Sequence, residues 1–156
     1  MLKIDYIKEA DCPFSKKIID KAALIFGKKM FKKTKETEVV IVSDAKMKKI
    51  NFVYRGKKRT TDVLSFAFLE DKKIKTDFLG QIFISYPQIK RQAKKYKIPE
   101  KEEFIRMLVH GLLHLVGYDH VTKAEEQKMF KFQELLVSKI LNTCPSIITE
   151  ERRRIK

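Results

Sequence analysis

The only three histidines of the 156-residue chain, His110, His114 and His120, fall within eleven residues. The stretch His110-Gly111-Leu112-Leu113-His114-Leu115-Val116-Gly117-Tyr118-Asp119-His120 has the pattern H-x-x-x-H-x-x-G-x-x-H. Four residues apart on an α-helix, His110 and His114 project from one face as neighbours across a turn. Gly117 follows where a helix can end, because glycine enters the left-handed region without steric cost. The chain can then fold back and bring His120 to the first two. Three neutral imidazoles are the ligand set of a catalytic zinc site, with one coordination position left for water or substrate. A single histidine on an apolar helix is usually a core or surface residue, and a pair at this spacing arises by chance. Three with a glycine at the turn favour the metal site.

The same spacing occurs in metzincin peptidases, where a glutamate beside the first histidine is the general base. Here that position is Gly111, which cannot accept a proton. The ligand cage is present without the peptidase's base, which disfavours peptide hydrolysis by that route. Asp119 is the nearest carboxylate. A turn role, or support of a ligand histidine from behind, ranks above a catalytic one.

The elements that must position these residues follow from periodicity. Residues 2–8 alternate as a strand, and Asp11-Cys12-Pro13 signals a helix start. Phe14, Ile18, Ala22, Ile25 and Phe26 line that helix to about Phe31. The β-branched run 37–43 is a buried strand, and Asp44 caps a short helix that carries Met47, Ile50 and Val53 inward. Residues 54–61 read as a charged loop. Two strands, 62–68 and 79–85, are joined by the polar segment 70–77 as an antiparallel hairpin. Pro87 opens a basic helix to about Lys97, and Pro99 opens the helix that carries Phe104 and the first two histidines to Val116. Thr122 and Glu125 form a capping box for a last helix to about Leu141, with Met129, Phe132, Leu136 and Ile140 on one face. Strands early and helices late imply an α+β fold: one mixed sheet of about four strands covered by about five helices, with the metal site on a buried helix of the C-terminal half. Residues 1–156 fit a single domain, and residues 150–156 read as a frayed charged tail.

Hydrophobic residues make up 44% of the chain, which excludes a mainly disordered protein. No stretch is suited to spanning a bilayer, and the N-terminal segment lacks the apolar run of a signal peptide. Cys12 and Cys144 belong to no C-x-x-C pair and read as free thiols of a reducing cytoplasm, a bridge between them being the alternative. The net charge of +15 is uneven: residues 1–99 carry 25 lysines and arginines against 11 acidic residues, and residues 100–156 carry 10 against 9. A basic first half attracts polyanions by releasing their counterions. Lysine-rich composition alone would give the same surface, so charge favours nucleic acid chiefly in combination with the metal site.

In this order, the pieces resemble the YbeY family of bacterial endoribonucleases, the rRNA maturation factors. Three blocks carry the resemblance: Tyr54-Arg55-Gly56-Lys57-Lys58-Arg59-Thr60-Thr61-Asp62-Val63-Leu64-Ser65-Phe66, then Leu79-Gly80-Gln81-Ile82-Phe83-Ile84-Ser85, and His110 to His120. The resemblance implies one zinc held by His110, His114 and His120, and metal-dependent cleavage of single-stranded RNA in rRNA processing and ribosome biogenesis. The ribosome or its proteins are then expected partners. It places the family's functional arginine on Arg55, and Lys57, Lys58 and Arg59 are candidates for RNA contact. Gln81 stands where the family usually has an acidic residue, so a charge-based role there is not carried over.

Cleavage at phosphorus builds negative charge on the non-bridging oxygens. A zinc ion can polarise one of them or bring the pKa of bound water to about 7. Arg55 offers a planar fork suited to phosphate. The nucleophile is either water or the substrate's 2′-hydroxyl. Nickel, cobalt and copper also accept three imidazoles, so zinc is expected from geometry and availability. Three other function classes fit the same residues: a zinc-dependent hydrolase of another substrate, a non-catalytic ribosome-assembly factor with a structural metal, and a basic RNA-binding domain with three incidental histidines.

Overall fold

A computed structural model describes residues 1–68 and 75–142. Strand β2 (Lys35–Val42) organises it. Its β-branched residues alternate between two buried faces: Val39 and Ile41 enter one core cluster, Val40 and Val42 another. Burial on both faces explains the unbroken apolar run, because a central strand has no solvent side. Strand β1 (Leu2–Lys8) pairs with β2 in parallel on one edge, and β4 (Phe78–Ser85) does so on the other. Strand β3 (Val63–Ala67) pairs antiparallel with β4, which gives the order β1-β2-β4-β3. The mixed four-stranded sheet and the five helices among the described residues are the expected α+β architecture.

Four helices belong to the larger core: α1 (Lys16–Met30), α3 (Tyr86–Tyr96), α4 (Glu100–Leu115) and α5 (Lys123–Asn142). Helix α2 (Asp44–Arg55) covers the opposite face, where Met47 packs with Val40, Val42 and Leu64. Helix α4 runs between sheet and α5, so it is apolar nearly all round. Its Phe104, Ile105, Leu108, Val109, Leu112 and Leu113 are wholly buried. At about 1.5–3 kcal/mol each, their burial contributes on the order of 10 kcal/mol before entropy, enough to hold the helix rigidly.

Gly111 sets how closely α4 approaches the sheet. A Cβ there would lie 2.9 Å from Ile82 Cγ2 and 3.1 Å from Ser65 Oγ. The Ser65 hydroxyl instead donates to the Gly111 carbonyl at 3.2 Å. Any side chain at this position would press on Ile82 and Ser65, so packing favours glycine where a metzincin carries its base.

Several expectations need correction. Helix α1 starts at Lys16, beyond Pro13. Residues 9–14 are instead drawn against β1: Cys12 is buried, the Tyr6 hydroxyl donates to the Phe14 carbonyl, and Lys8 donates to the Cys12 carbonyl. Ser43, not Asp44, caps α2, its hydroxyl accepting from the Lys46 amide. The Asp44 carboxylate is taken by Arg91, Ser85 and Thr60. Val53 points outward, 66% exposed, and the inward position belongs to Asn51, whose amide donates to the Arg59 carbonyl at 2.8 Å. Tyr54 and Arg55 close α2 and do not open a loop. The capping box is formed as expected between Thr122 and Glu125. Cys144, residues 70–74 of the hairpin connection and the 150–156 tail lie outside the described residues.

Candidate metal centre

His110 and His114 lie on the last turns of α4, and the chain's exit from that helix supplies the third histidine. Val116 caps the helix; the Gly117 amide donates to the His114 carbonyl at 3.1 Å and the Tyr118 amide to the Leu113 carbonyl at 3.0 Å. This pair of bonds is the Schellman ending, which needs a positive φ at the residue after the cap. Gly117 provides it at 97°. Tyr118 then packs on Phe132 of α5, and the turn delivers His120. The nitrogens that His110, His114 and His120 can offer to a metal all lie within 4.8 Å of one another.

Their protonation is set from behind. His114 Nδ1 lies 2.9 Å from the Tyr118 carbonyl, which only accepts, so Nδ1 carries the proton. His110 Nδ1 lies 2.8 Å from Gln133 Oε1. The Gln133 amide nitrogen faces the Glu134 carboxylate at 3.4 Å, which fixes the amide's orientation. Glu134 is held in turn by the Arg106 guanidinium at 2.7 and 3.1 Å. That guanidinium keeps the Glu134 carboxyl below its usual range.

Both Nδ1 atoms therefore donate, and both Nε2 atoms carry lone pairs. These lone pairs face each other at 3.0 Å. Two lone pairs at that distance repel unless a cation lies between them. Burial, foremost, pushes the pKa of both His110 and His114 down; nearby His120 adds to this at each, and His110 adds at His114. A proton is thus a poor occupant at neutral pH, and a metal ion is the fitting one. Nitrogens all within 4.8 Å of one another are close enough to converge on one ion. The donor set fits a metal held by three imidazoles.

A cleft of about 450 Å³ opens at the histidines. Arg55, the last residue of α2, lines it together with Ser65, Ala67, Tyr118 and Asp119. Asp119 is a turn residue: its Oδ1 accepts from the His120 amide at 2.7 Å. Lys57, Lys58 and Arg59 do not line the cleft; Lys58 lies over the Phe52 ring on the outer side of α2. Gln81 faces the sheet side away from α4 and donates to the Glu38 carboxylate across the β2–β4 pairing.

The sequence reading did not single out Gln133. Its signal was a polar residue among the apolar positions Met129, Leu136, Val137 and Ile140 of α5, where it is only 5% exposed. A buried amide at such a position has a partner to hold.

A family model described as "Endoribonuclease YbeY" matches residues 6–141. The chain belongs to the YbeY family. An endoribonuclease YbeY of Thermodesulfovibrio yellowstonii is 44% identical over 103 residues, 65% of either chain. That of Leptospira interrogans is 39% identical over 127 residues, 71% of this chain and 90% of the other. That of Bacillus subtilis is 42% identical over 110 residues, 65% and 70%. The solution structure of TM1509 from Thermotoga maritima superposes with a TM-score of 0.67 at 25% identity, covering 92% of this chain and 93% of that one. Among the described residues no helix is long and apolar enough to cross a membrane.

Proposed function

We propose that the chain is a metal-dependent endoribonuclease acting on single-stranded RNA in rRNA maturation. Zinc is the metal, and His110, His114 and His120 are its ligands. The observation that carries this reading is the pair of opposed Nε2 lone pairs in a cleft that Arg55 shares. When bound, the ion supplies Lewis-acid charge where the phosphate gains negative charge in the transition state. The Arg55 guanidinium, at the cleft wall, binds the non-bridging phosphate oxygens through its fork and is always charged. Gln133 and the Tyr118 carbonyl hold two imidazoles in the tautomer that presents Nε2 to the cleft. The cytoplasm, with the ribosome as partner, is the setting this activity requires.

The test is cleavage of a labelled single-stranded RNA by protein purified without a histidine tag. Cleavage that stops with a chelator, returns with zinc and is absent from His114→Ala agrees with the proposal. Cleavage indifferent to both contradicts it. Replacing the ribose 5′ to the scissile bond by deoxyribose separates the nucleophiles, because persistence excludes the 2′-hydroxyl. Casein turnover dependent on zinc would revive the peptidase alternative, which Gly111 opposes.

A further inference from the structure

The outer side of α2 carries a surface that the metal centre does not use. Met47 and Asn51 of this helix face inward, and Lys48, Lys49 and Phe52 lie on the other side. There a shallow groove of about 480 Å³ is lined by Ala45, Lys48, Lys49, Phe52 and Lys58. Phe52 is 50% exposed, and Lys58 Nζ sits 5.7 Å from its ring centroid. Nearby charges are neutralised, Lys46 by Glu9 and Arg91 by Asp44. Lys48, Lys49 and Lys58 have no carboxylate partner among the described residues. The result is an apolar ring in a frame of three uncompensated cations.

We infer that Phe52, with Lys48, Lys49 and Lys58, is a stacking subsite for one base of single-stranded RNA lying outside the cleavage cleft. The inference rests on the proposal that RNA is the substrate. Three features choose this occupant. An aromatic face binds any unpaired base, and a positive rim tracks the adjoining phosphates. An apolar protein surface would bury the three ammonium groups without a matched charge, which is costly. A duplex keeps its bases stacked inside and has no face to offer the ring. Continuity supplies the path: Phe52 and Arg55 are three residues apart on one helix, hence neighbours on its surface, and Arg55 lines the histidine cleft. A strand leaving the cleft past Arg55 meets Phe52 about one turn away.

The experiment uses the full chain in chelator, so that cleavage does not consume the RNA, and a fluorescein-labelled single-stranded 12-mer read by anisotropy. Phe52→Ala is expected to weaken binding at least about fivefold, the lower edge for loss of one base–aromatic stack. Phe52→Tyr keeps the ring and restores affinity to within about twofold. Changing Lys48, Lys49 and Lys58 together to glutamine lowers the slope of log affinity against log salt by about 2, at roughly 0.7 per phosphate contact. A 2-aminopurine placed along the strand is quenched by wild type at one position, and Phe52→Ala abolishes that quenching. Wild-type affinity in Phe52→Ala overturns the inference, as does equal weakening for a duplex of the same length. Loss of binding in Phe52→Ala from a chain that never cleaves RNA upholds this inference and refutes the nuclease proposal. Full binding by Phe52→Ala in a chain that does cleave has the opposite outcome.

Discussion

Replacing Gln133 by leucine removes the acceptor for His110 Nδ1–H and leaves the three ligands in place. Gln133 Oε1 lies 2.8 Å from His110 Nδ1, and the residue is nearly fully buried, so water does not readily replace the lost bond. Losing the group behind a metal-bound histidine typically weakens metal affinity about 10- to 100-fold. The cost has two origins: a buried N–H is left without a partner, at about 1–3 kcal/mol, and the ring is freed to place its proton on Nε2. Leucine restores some apolar burial, so the metal-free fold should lose less than the metal affinity does. Competition against a chromophoric chelator gives the zinc dissociation constant, and long-range ¹H–¹⁵N correlation gives the tautomer. The metal-free wild type should show His110 and His114 protonated at Nδ1, and Gln133→Leu should show mixed tautomers at His110 alone. Gln133→Glu, which keeps an acceptor, should keep affinity within a few-fold. Unchanged zinc affinity in Gln133→Leu, or wild-type rings protonated at Nε2, would refute the reasoning.

Gly111→Ala gains about 1 kcal/mol of helix propensity but forces a methyl onto Ile82 and Ser65, an overpacking cost of about 1–3 kcal/mol. A net loss of up to about 2 kcal/mol should lower the melting temperature by up to about 8 °C; a higher value contradicts the close approach. Arg55→Ala should reduce kcat on RNA by about 100- to 1,000-fold with little change in zinc content, and Arg55→Lys should recover little of it. Equal kcat in all three proteins would remove Arg55 from the mechanism. The histidines also give a pH signature. Burial lowers the pKa of His110 and His114, so below about 6.5 the unfolded chain binds more protons than the folded one. Stability of the metal-free protein should therefore fall as pH drops below about 6.5 and be flat above about 7.5. Glu103, whose pKa is raised by burial, acts in the opposite sense, so the control is a His110→Gln/His114→Gln protein. Urea midpoints with the same pH slope in both proteins would contradict the assignment.

The ligand set was legible because its geometry is local. A four-residue spacing on a helix and a glycine one turn later fix where three rings can go. The sheet was legible from the β-branched run of β2 and the hairpin pattern of β3 and β4. The parallel pairing of β4 beside β2 depends on contacts far apart in sequence, and the strand order followed only from the structure. Gln133 lies 23 residues from the ring it holds, and periodicity in α5 marks it only as a polar interruption. The errors around Pro13, Asp44 and Val53 share a cause. Each residue's local preference was overruled by a distant partner: Tyr6 for the segment after Pro13, Arg91 for Asp44, and the Arg59 carbonyl for Asn51 in place of Val53. Gly111 was read for its missing carboxylate, and its packing role needed Ile82 and Ser65 in place.

The most direct test of the central claim is the metal content of tag-free protein by plasma emission, for wild type and for a folded His110→Ala/His114→Ala/His120→Ala variant. One transition-metal ion per wild-type chain and none in the variant is the predicted result. A wild type that carries no metal after exposure to excess zinc and desalting, or a variant that retains as much as wild type, would contradict it.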